Sequence, residues 1–231
     1  PKILASGADF YMQPSWSPDG KALAWVEWDH PNMPWDGARL MLAEFDQSSE
    51  ALGNVRQVDG SAEVATFQPA FSPDGQYLAY LRNRGEWDQL MVMDLASGKV
   101  HELAGERSLL PPAWVQGLRT IAWAPTSDAL YFLENQQAMT RLNKVELASG
   151  QITPLLMEQF THIEQISVSP EGEVALIAQS PEQPAEIWRL QGTDLKPVAL
   201  NQPNLAGTGW APQPQPVSWQ SSDGATVYGT Y

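Results

Sequence analysis

The sequence predicts an all-β fold: a β-propeller built from four-stranded antiparallel blades. Three observations predict it. The first is a short phrase that returns along the chain. It reads Trp16-Ser17-Pro18-Asp19-Gly20, then Phe71-Ser72-Pro73-Asp74-Gly75, then a degraded Trp123-Ala124-Pro125-Thr126-Ser127 and Val168-Ser169-Pro170-Glu171-Gly172, with a last echo at Ser221-Ser222-Asp223-Gly224. The second is its period of about 45–55 residues, the length of a radial β repeat. The third is the apolar run that follows each of the first four copies, at residues 22–26, 77–81, 130–133 and 174–178. Near-continuous apolarity suits strands buried on both faces, which blades stacked around a ring provide.

Each element follows from local chemistry. In the repeated phrase, Pro presets φ near −65°, Asp accepts from the backbone just ahead, and Gly tolerates positive φ where the chain reverses. A second hairpin follows. Leu95-Ala96-Ser97-Gly98 and Leu147-Ala148-Ser149-Gly150 place their glycines at equal distances from Gly75 and Ser127. Each unit therefore has four strands, joined by an A–B turn, a B–C loop and a C–D turn. Four units are readable, at roughly 11–58, 66–103, 118–155 and 162–200, within a propeller region of 1–216. Residues 1–5 read as the last strand of an earlier unit. Residues 217–231 read as the start of a later blade or the lead-in to another domain. Segments 104–117 and 201–216, rich in Pro and Gly, read as connections, and Pro111-Pro112 interrupts the apolar character of 107–116.

Bulk composition bounds the partners. The chain has 231 residues, 43% of them apolar and ten of them Trp, which argues for a folded protein. Thirteen Lys and Arg against 27 Asp and Glu give a net charge of −14, which disfavours nucleic acid and serves solubility. No run of apolar residues is long enough to span a membrane as a helix, so no membrane partner is expected. Cysteine is absent, which removes disulfides, thiolate metal sites and a cysteine nucleophile. It does not separate the cytoplasm, the first expectation, from the periplasm. The start at Pro1 and the strand-like close at 227–231 lead to the expectation of a piece of a longer protein.

The first unit carries a sharper resemblance. Gln13-Pro14-Ser15-Trp16-Ser17-Pro18-Asp19-Gly20, Leu23-Ala24-Trp25 and Trp28-Asp29-His30-Pro31-Asn32-Met33-Pro34-Trp35-Asp36 resemble the propeller of serine peptidases of the prolyl-oligopeptidase (S9-type) family, the acylaminoacyl-peptidase and dipeptidyl-peptidase-like members. Gln68-Pro69-Ala70-Phe71 before Ser72-Pro73-Asp74-Gly75 adds to it. The tail, Val217-Ser218-Trp219 with Val227-Tyr228-Gly229, resembles the lead into their α/β-hydrolase domain. The resemblance implies a seven- or eight-bladed ring and a Ser, Asp and His triad on the hydrolase domain. This chain departs from that pattern. It has no Gly-x-Ser-x-Gly, and its histidines, His30, His101 and His162, all lie in the repeats. No catalytic residue, cofactor or metal is therefore expected within it.

Two loops supply candidate contact residues for a substrate or a further domain. The B–C loop of the first unit carries His30, Asn32, Trp35 and Asp36, stiffened by two prolines. The alternative is that Trp28 and Trp35 cap the blade edge and Asp29 caps a turn. The same loop of the second unit carries Arg82, Arg84 and Trp87. Its arginines suit a peptide carboxylate or acids on another domain, or they pair locally with Glu86 and Asp88. The Trp-Asp pairs at 28–29, 35–36 and 87–88 lack the constant spacing that another propeller family would require.

The functional expectation is a non-catalytic propeller that gates short peptides to an α/β-hydrolase domain. Its partners would be that domain, the remaining blades and the peptide substrate, and the fragment would self-associate through its open end faces. The rival is a stand-alone Tol-associated-type propeller that binds protein. A third arrangement closes a five-bladed ring, with residues 1–5 completing the blade begun at 217–231.

Overall fold

The computed structural model describes residues 1–109, 113, 116–155, 157–199, 211–212 and 214–231. Among them there is no helix. Four antiparallel four-stranded sheets follow one another. The first holds β1 (Phe10–Trp16), β2 (Ala22–Trp28), β3 (Arg39–Asp46) and β4 (Ala51–Asp59). The second holds β5 (Ala65–Phe71), β6 (Tyr77–Arg84), β7 (Trp87–Asp94) and β8 (Val100–Arg107). The third holds β9 (Ile121–Trp123), β10 (Ala129–Gln136), β11 (Met139–Glu146) and β12 (Ile152–Leu155). The fourth holds β13 (His162–Val168), β14 (Val174–Ser180), β15 (Gln183–Gln191) and β16 (Asp194–Ala199). A final hairpin pairs β17 (Pro216–Gln220) with β18 (Thr226–Thr230). Every sheet is a simple meander, and the first strands of successive sheets lie side by side.

The repeated turn is a closed hydrogen-bond unit. Ser72 Oγ accepts from Tyr77 N at 2.9 Å and donates to Asp74 Oδ1 at 2.6 Å, while Asp74 Oδ1 accepts from Gln76 N at 3.0 Å. Ser17 and Asp19 repeat the pattern with Ala22 N and Lys21 N. The degraded third copy is held differently. Ser127 takes the left-handed position that Gly occupies elsewhere, at φ 60°, and its Oγ accepts from Asp74 N of the preceding blade at 3.1 Å. An inter-blade bond offsets the local strain of a side chain at positive φ.

Blade-on-blade packing makes the core. One cluster joins the first three sheets through Val26, Leu40, Phe67, Tyr80, Leu90, Trp123 and Phe132. A second joins the third and fourth through Leu133, Phe160, Ile163, Leu176 and Trp188. Polar pairs lock the same interfaces. Tyr80 donates to Asp59 of the first blade at 2.6 Å, and burial, reinforced by that carboxylate, pushes the phenol well above its usual pKa. Arg107 of β8 pairs with Glu134 of β10 at 2.7 Å.

The expectation of two buried faces holds for β2 and β6, whose central residues are buried in succession. It fails for β14, which alternates buried and half-buried. Val174, Leu176 and Ala178 meet the third blade, while Ile177 and its cross-strand partner Ile187, 47% exposed, face away from it. Residues 1–5 also depart from expectation. They form no strand, and Leu4 and Ala5 instead pack on Leu23, Trp25 and Ala43 of the first blade. The five-bladed closure is therefore not formed, since among the described residues β17 and β18 pair only with each other. The expected break at Pro111-Pro112 and most of the 201–216 connection lie outside the described residues.

The turns generate two predictions. Ser72→Ala leaves the part-buried Tyr77 N–H without its acceptor, at a cost of about 1–2 kcal/mol. Thermal melting should show Tm falling by about 2–4 °C for each kcal/mol lost. The second concerns acid. Hydrogen bonds from the Ser48 hydroxyl and N–H, then the Ser49 hydroxyl, lower the pKa of Asp46 to about 2. A pKa lowered by folding contributes stability that is complete above the ordinary aspartate value of about 4 and is lost as pH falls through about 2. Asp46→Asn should flatten the fall of Tm across that window, measured as melting curves against pH.

Candidate functional site

In a meander blade the A–B and C–D turns gather at one end, and the B–C loops and inter-blade connections gather at the other. All seven candidate residues lie at the B–C end, but the structure divides them. The first loop is locked down. Gly37 sits so close to the connection ahead of β5 that a Cβ there would lie 2.4 Å from the Ala62 backbone. Asn32 Nδ2 donates to Ala62 O at 2.7 Å, and Asp36 Oδ2 accepts from Met33 N at 2.9 Å within the loop. Trp35 packs half-buried against the core. Asp29 accepts from Asp9 N and pairs with Arg39 at 2.8 Å, a bond that holds its carboxyl below the usual range. Trp28 stacks on Phe10, with ring centroids 5.1 Å apart. His30 and Asp36 are the exposed members of this set, and the Asp36 carboxylate is engaged within the loop.

The second loop divides the same way. Arg82 is half-buried, donates to Gln89 Oε1 at 2.8 Å and pairs with Asp59 at 3.2 Å. Its partner is thus an acid of the preceding blade and neither Glu86 nor Asp88. Asp88 accepts from Asn83 and from Leu109 N. Arg84 and Trp87 are cross-strand partners at the hairpin tip, and both are exposed. The contact surface that remains is His30, Arg84 and Trp87.

A different set of residues forms a constructed inner wall. The first strand of three blades carries a bulge, and each bulge holds a glutamine at positive φ: Gln13 at 52°, Gln68 at 52° and Gln165 at 56°. The prolines after Gln13 and Gln68 fit there because a bulge on an edge strand tolerates a missing N–H. The glutamine oxygens bind across the blade interfaces. Gln13 Oε1 accepts from Gln68 N at 2.7 Å, Gln68 Oε1 from Thr120 N at 2.7 Å, and Gln165 Oε1 from Arg119 N at 3.0 Å. Gln116 reaches back to the first blade, accepting from Gln13 N at 2.8 Å. Between these residues lies a cavity of about 420 Å³. A neighbouring cavity of about 390 Å³, lined by Leu118, Leu133, Ile163 and His162, shares Arg119 with it. The signal was present in the sequence, since Gln stands three residues before the aromatic or β-branched turn residue in three units.

Among the described residues, no group of three His, Cys, Asp or Glu could hold a metal ion. His101 lines a separate cavity at the turn end, and His162 Nδ1 lies 3.2 Å from Thr140 Oγ1.

The fold matches known proteins. Residues 1–225 match the PD40 family, described as the TolB beta propeller domain. The chain belongs to that family. This TolB-type propeller is 28% identical to dipeptidyl-peptidase 5 of Porphyromonas gingivalis over 199 residues, which is 83% of the chain and 27% of the relative. It superposes on a Mycobacterium tuberculosis puromycin-hydrolyzing peptidase with a TM-score of 0.86 at 23% identity, covering 98% of the chain and 34% of the peptidase. It superposes on TolB from Acinetobacter baumannii with a TM-score of 0.58 at 16% identity, covering 91% of the chain and 49% of TolB. The propeller is thus related to the propeller portions of prolyl-oligopeptidase-type peptidases, and it spans less than a third of the length of the dipeptidyl-peptidase it matches.

The division within the second loop is testable. Arg82→Ala removes a half-buried ion pair and leaves Asp59 with less compensation, so it should destabilise by about 1–2 kcal/mol. Arg84→Ala and Trp87→Ala should each stay within about 0.5 kcal/mol of the parent. Urea unfolding of the three variants measures the contrast.

Proposed function

We propose that this chain is the non-catalytic propeller of a serine peptidase of the prolyl-oligopeptidase type, gating short peptides to an α/β-hydrolase domain. The observation that carries the reading is the match to dipeptidyl-peptidase 5 across 83% of the chain. The difference in TM-score, 0.86 for a peptidase against 0.58 for TolB, supports the same side. The chain contributes no Gly-x-Ser-x-Gly nucleophile, so its part is access rather than chemistry. A rigid wall of packed blades with a locked B–C loop on the first of them suits that part. It excludes folded proteins by size and leaves His30, Arg84 and Trp87 to touch a neighbouring domain or an entering peptide.

The family description itself favours a second reading, a protein-binding module of TolB type. The native gene product separates the two. A substantially longer polypeptide carrying Gly-x-Ser-x-Gly supports the peptidase reading, and a native product near 25.5 kDa supports the binding module. The purified chain should not hydrolyse aminoacyl- or dipeptidyl-arylamides. Turnover above a buffer blank that co-purifies with the chain would overturn its assignment as non-catalytic.

A further inference from the structure

We infer that the inner-wall cavity bounded by Gln13, Gln68 and Arg119 is a carboxylate-binding site. The inference rests on which atoms are already engaged. The Oε1 atoms of Gln13 and Gln68 are each held by a backbone N–H of the next blade. This assigns the amide orientation and leaves both Nε2 groups as the free ends. Gln68 is 7% exposed, and its Nε2 is buried with no hydrogen-bond partner. A buried donor without an acceptor costs free energy, and a native protein retains few of them. Gln13 Nε2 makes no hydrogen bond among the described residues either.

Arg119 supplies the charge. Its backbone is fixed by Gln165 Oε1 and by Ile166 N, which donates to Arg119 O at 3.1 Å. Its guanidinium is exposed and makes no ion pair among the described residues. Glu164, on the neighbouring cavity, lies 3.8 Å from His162 Nε2 and is not paired with Arg119. No Asp or Glu lines the inner-wall cavity, in a protein of net charge −14. Two amide donors and a guanidinium with no competing acid suit an ionised carboxylate, which only accepts and takes planar donors well. Pro14, Pro69 and Leu118 add an apolar wall for whatever carries that carboxylate. Both a peptide C-terminus and a small organic acid present this group. The inference does not depend on the peptidase reading, because it concerns binding by this chain alone.

The test is isothermal titration calorimetry on the 231-residue chain. The probes are the tripeptide Ala-Pro-Ala with a free C-terminus, the same tripeptide as its C-terminal amide, and sodium acetate. The free acid should bind, and the amide should bind about tenfold or more weakly, the loss expected for one charge-assisted hydrogen bond. Arg119→Gln should weaken the free acid by a similar factor, while Lys21→Gln, an exposed cation at the turn end, should leave it unchanged. Gln68→Glu keeps an oxygen for Thr120 N and replaces the free donor with an acceptor, so it should abolish binding. Should that variant not fold, Arg119→Gln, at an exposed side chain, carries the test. Acetate binding as tightly as the tripeptide assigns the site to small free acids, and tighter tripeptide binding assigns it to peptide C-termini. Equal binding of acid and amide, unchanged affinity in Arg119→Gln, or no heat from any probe overturns the inference.

Discussion

A four-stranded sheet that is apolar on both faces cannot be stable alone, because one face or the other would remain in water. Most of what is distinctive in this chain follows from that constraint. Val26 and Leu40 face the second blade, and Leu23 and Trp25 face the other way. Each blade must therefore sit at a set distance from the next, and polar bonds enforce the spacing that apolar contact alone leaves loose. Tyr80 to Asp59, Arg107 to Glu134, Asp74 N to Ser127 and the three glutamine bonds all cross from one blade to another. On the fourth sheet, where no following blade packs among the described residues, the burial pattern of β14 alternates and Ile187 is left half in water.

The repeat was legible because its chemistry is local. A Ser-Pro-Asp-Gly turn satisfies its own N–H groups within six residues, so its spelling marks a chain reversal wherever it occurs. The apolar run after it was legible for the same reason. What was not legible depends on contacts distant in sequence. Nothing near Arg82 says that its partner is Asp59 rather than Glu86 or Asp88. Nothing in residues 1–5 says that Leu4 and Ala5 lie across a sheet face instead of forming a strand. Ser127 looked like a degraded glycine, and its inter-blade bond to Asp74 became visible only when the two turns were adjacent in space.

The candidate loops show why residue type alone overstates function. His, Asn, Trp and Asp beside two prolines suggest a recognition surface, yet those groups also anchor a long loop. Asn32, Trp35 and Asp36 are used in that way, holding 29–37 against the connection that leads to β5. Geometry, not composition, separates them from His30, Arg84 and Trp87.

The glutamine bonds join the two themes. A side-chain amide has one accepting end and one donating end. When the blade interface uses the oxygen for a backbone N–H, the donating end is left over at the same place in each blade that carries the bulge. A bond made for spacing thus leaves donors along an inner wall without any further residue. Gln68 shows the consequence most sharply, because its Nε2 is also cut off from water. In the third unit Thr120 stands where the others have Gln, and it receives the belt without passing it on. Arg119, one residue earlier, contributes its N–H to Gln165 and its guanidinium to the cavity at that same break. Within the four four-stranded blades, the departure from the repeated glutamine is therefore adjacent to the residue that brings positive charge to the wall.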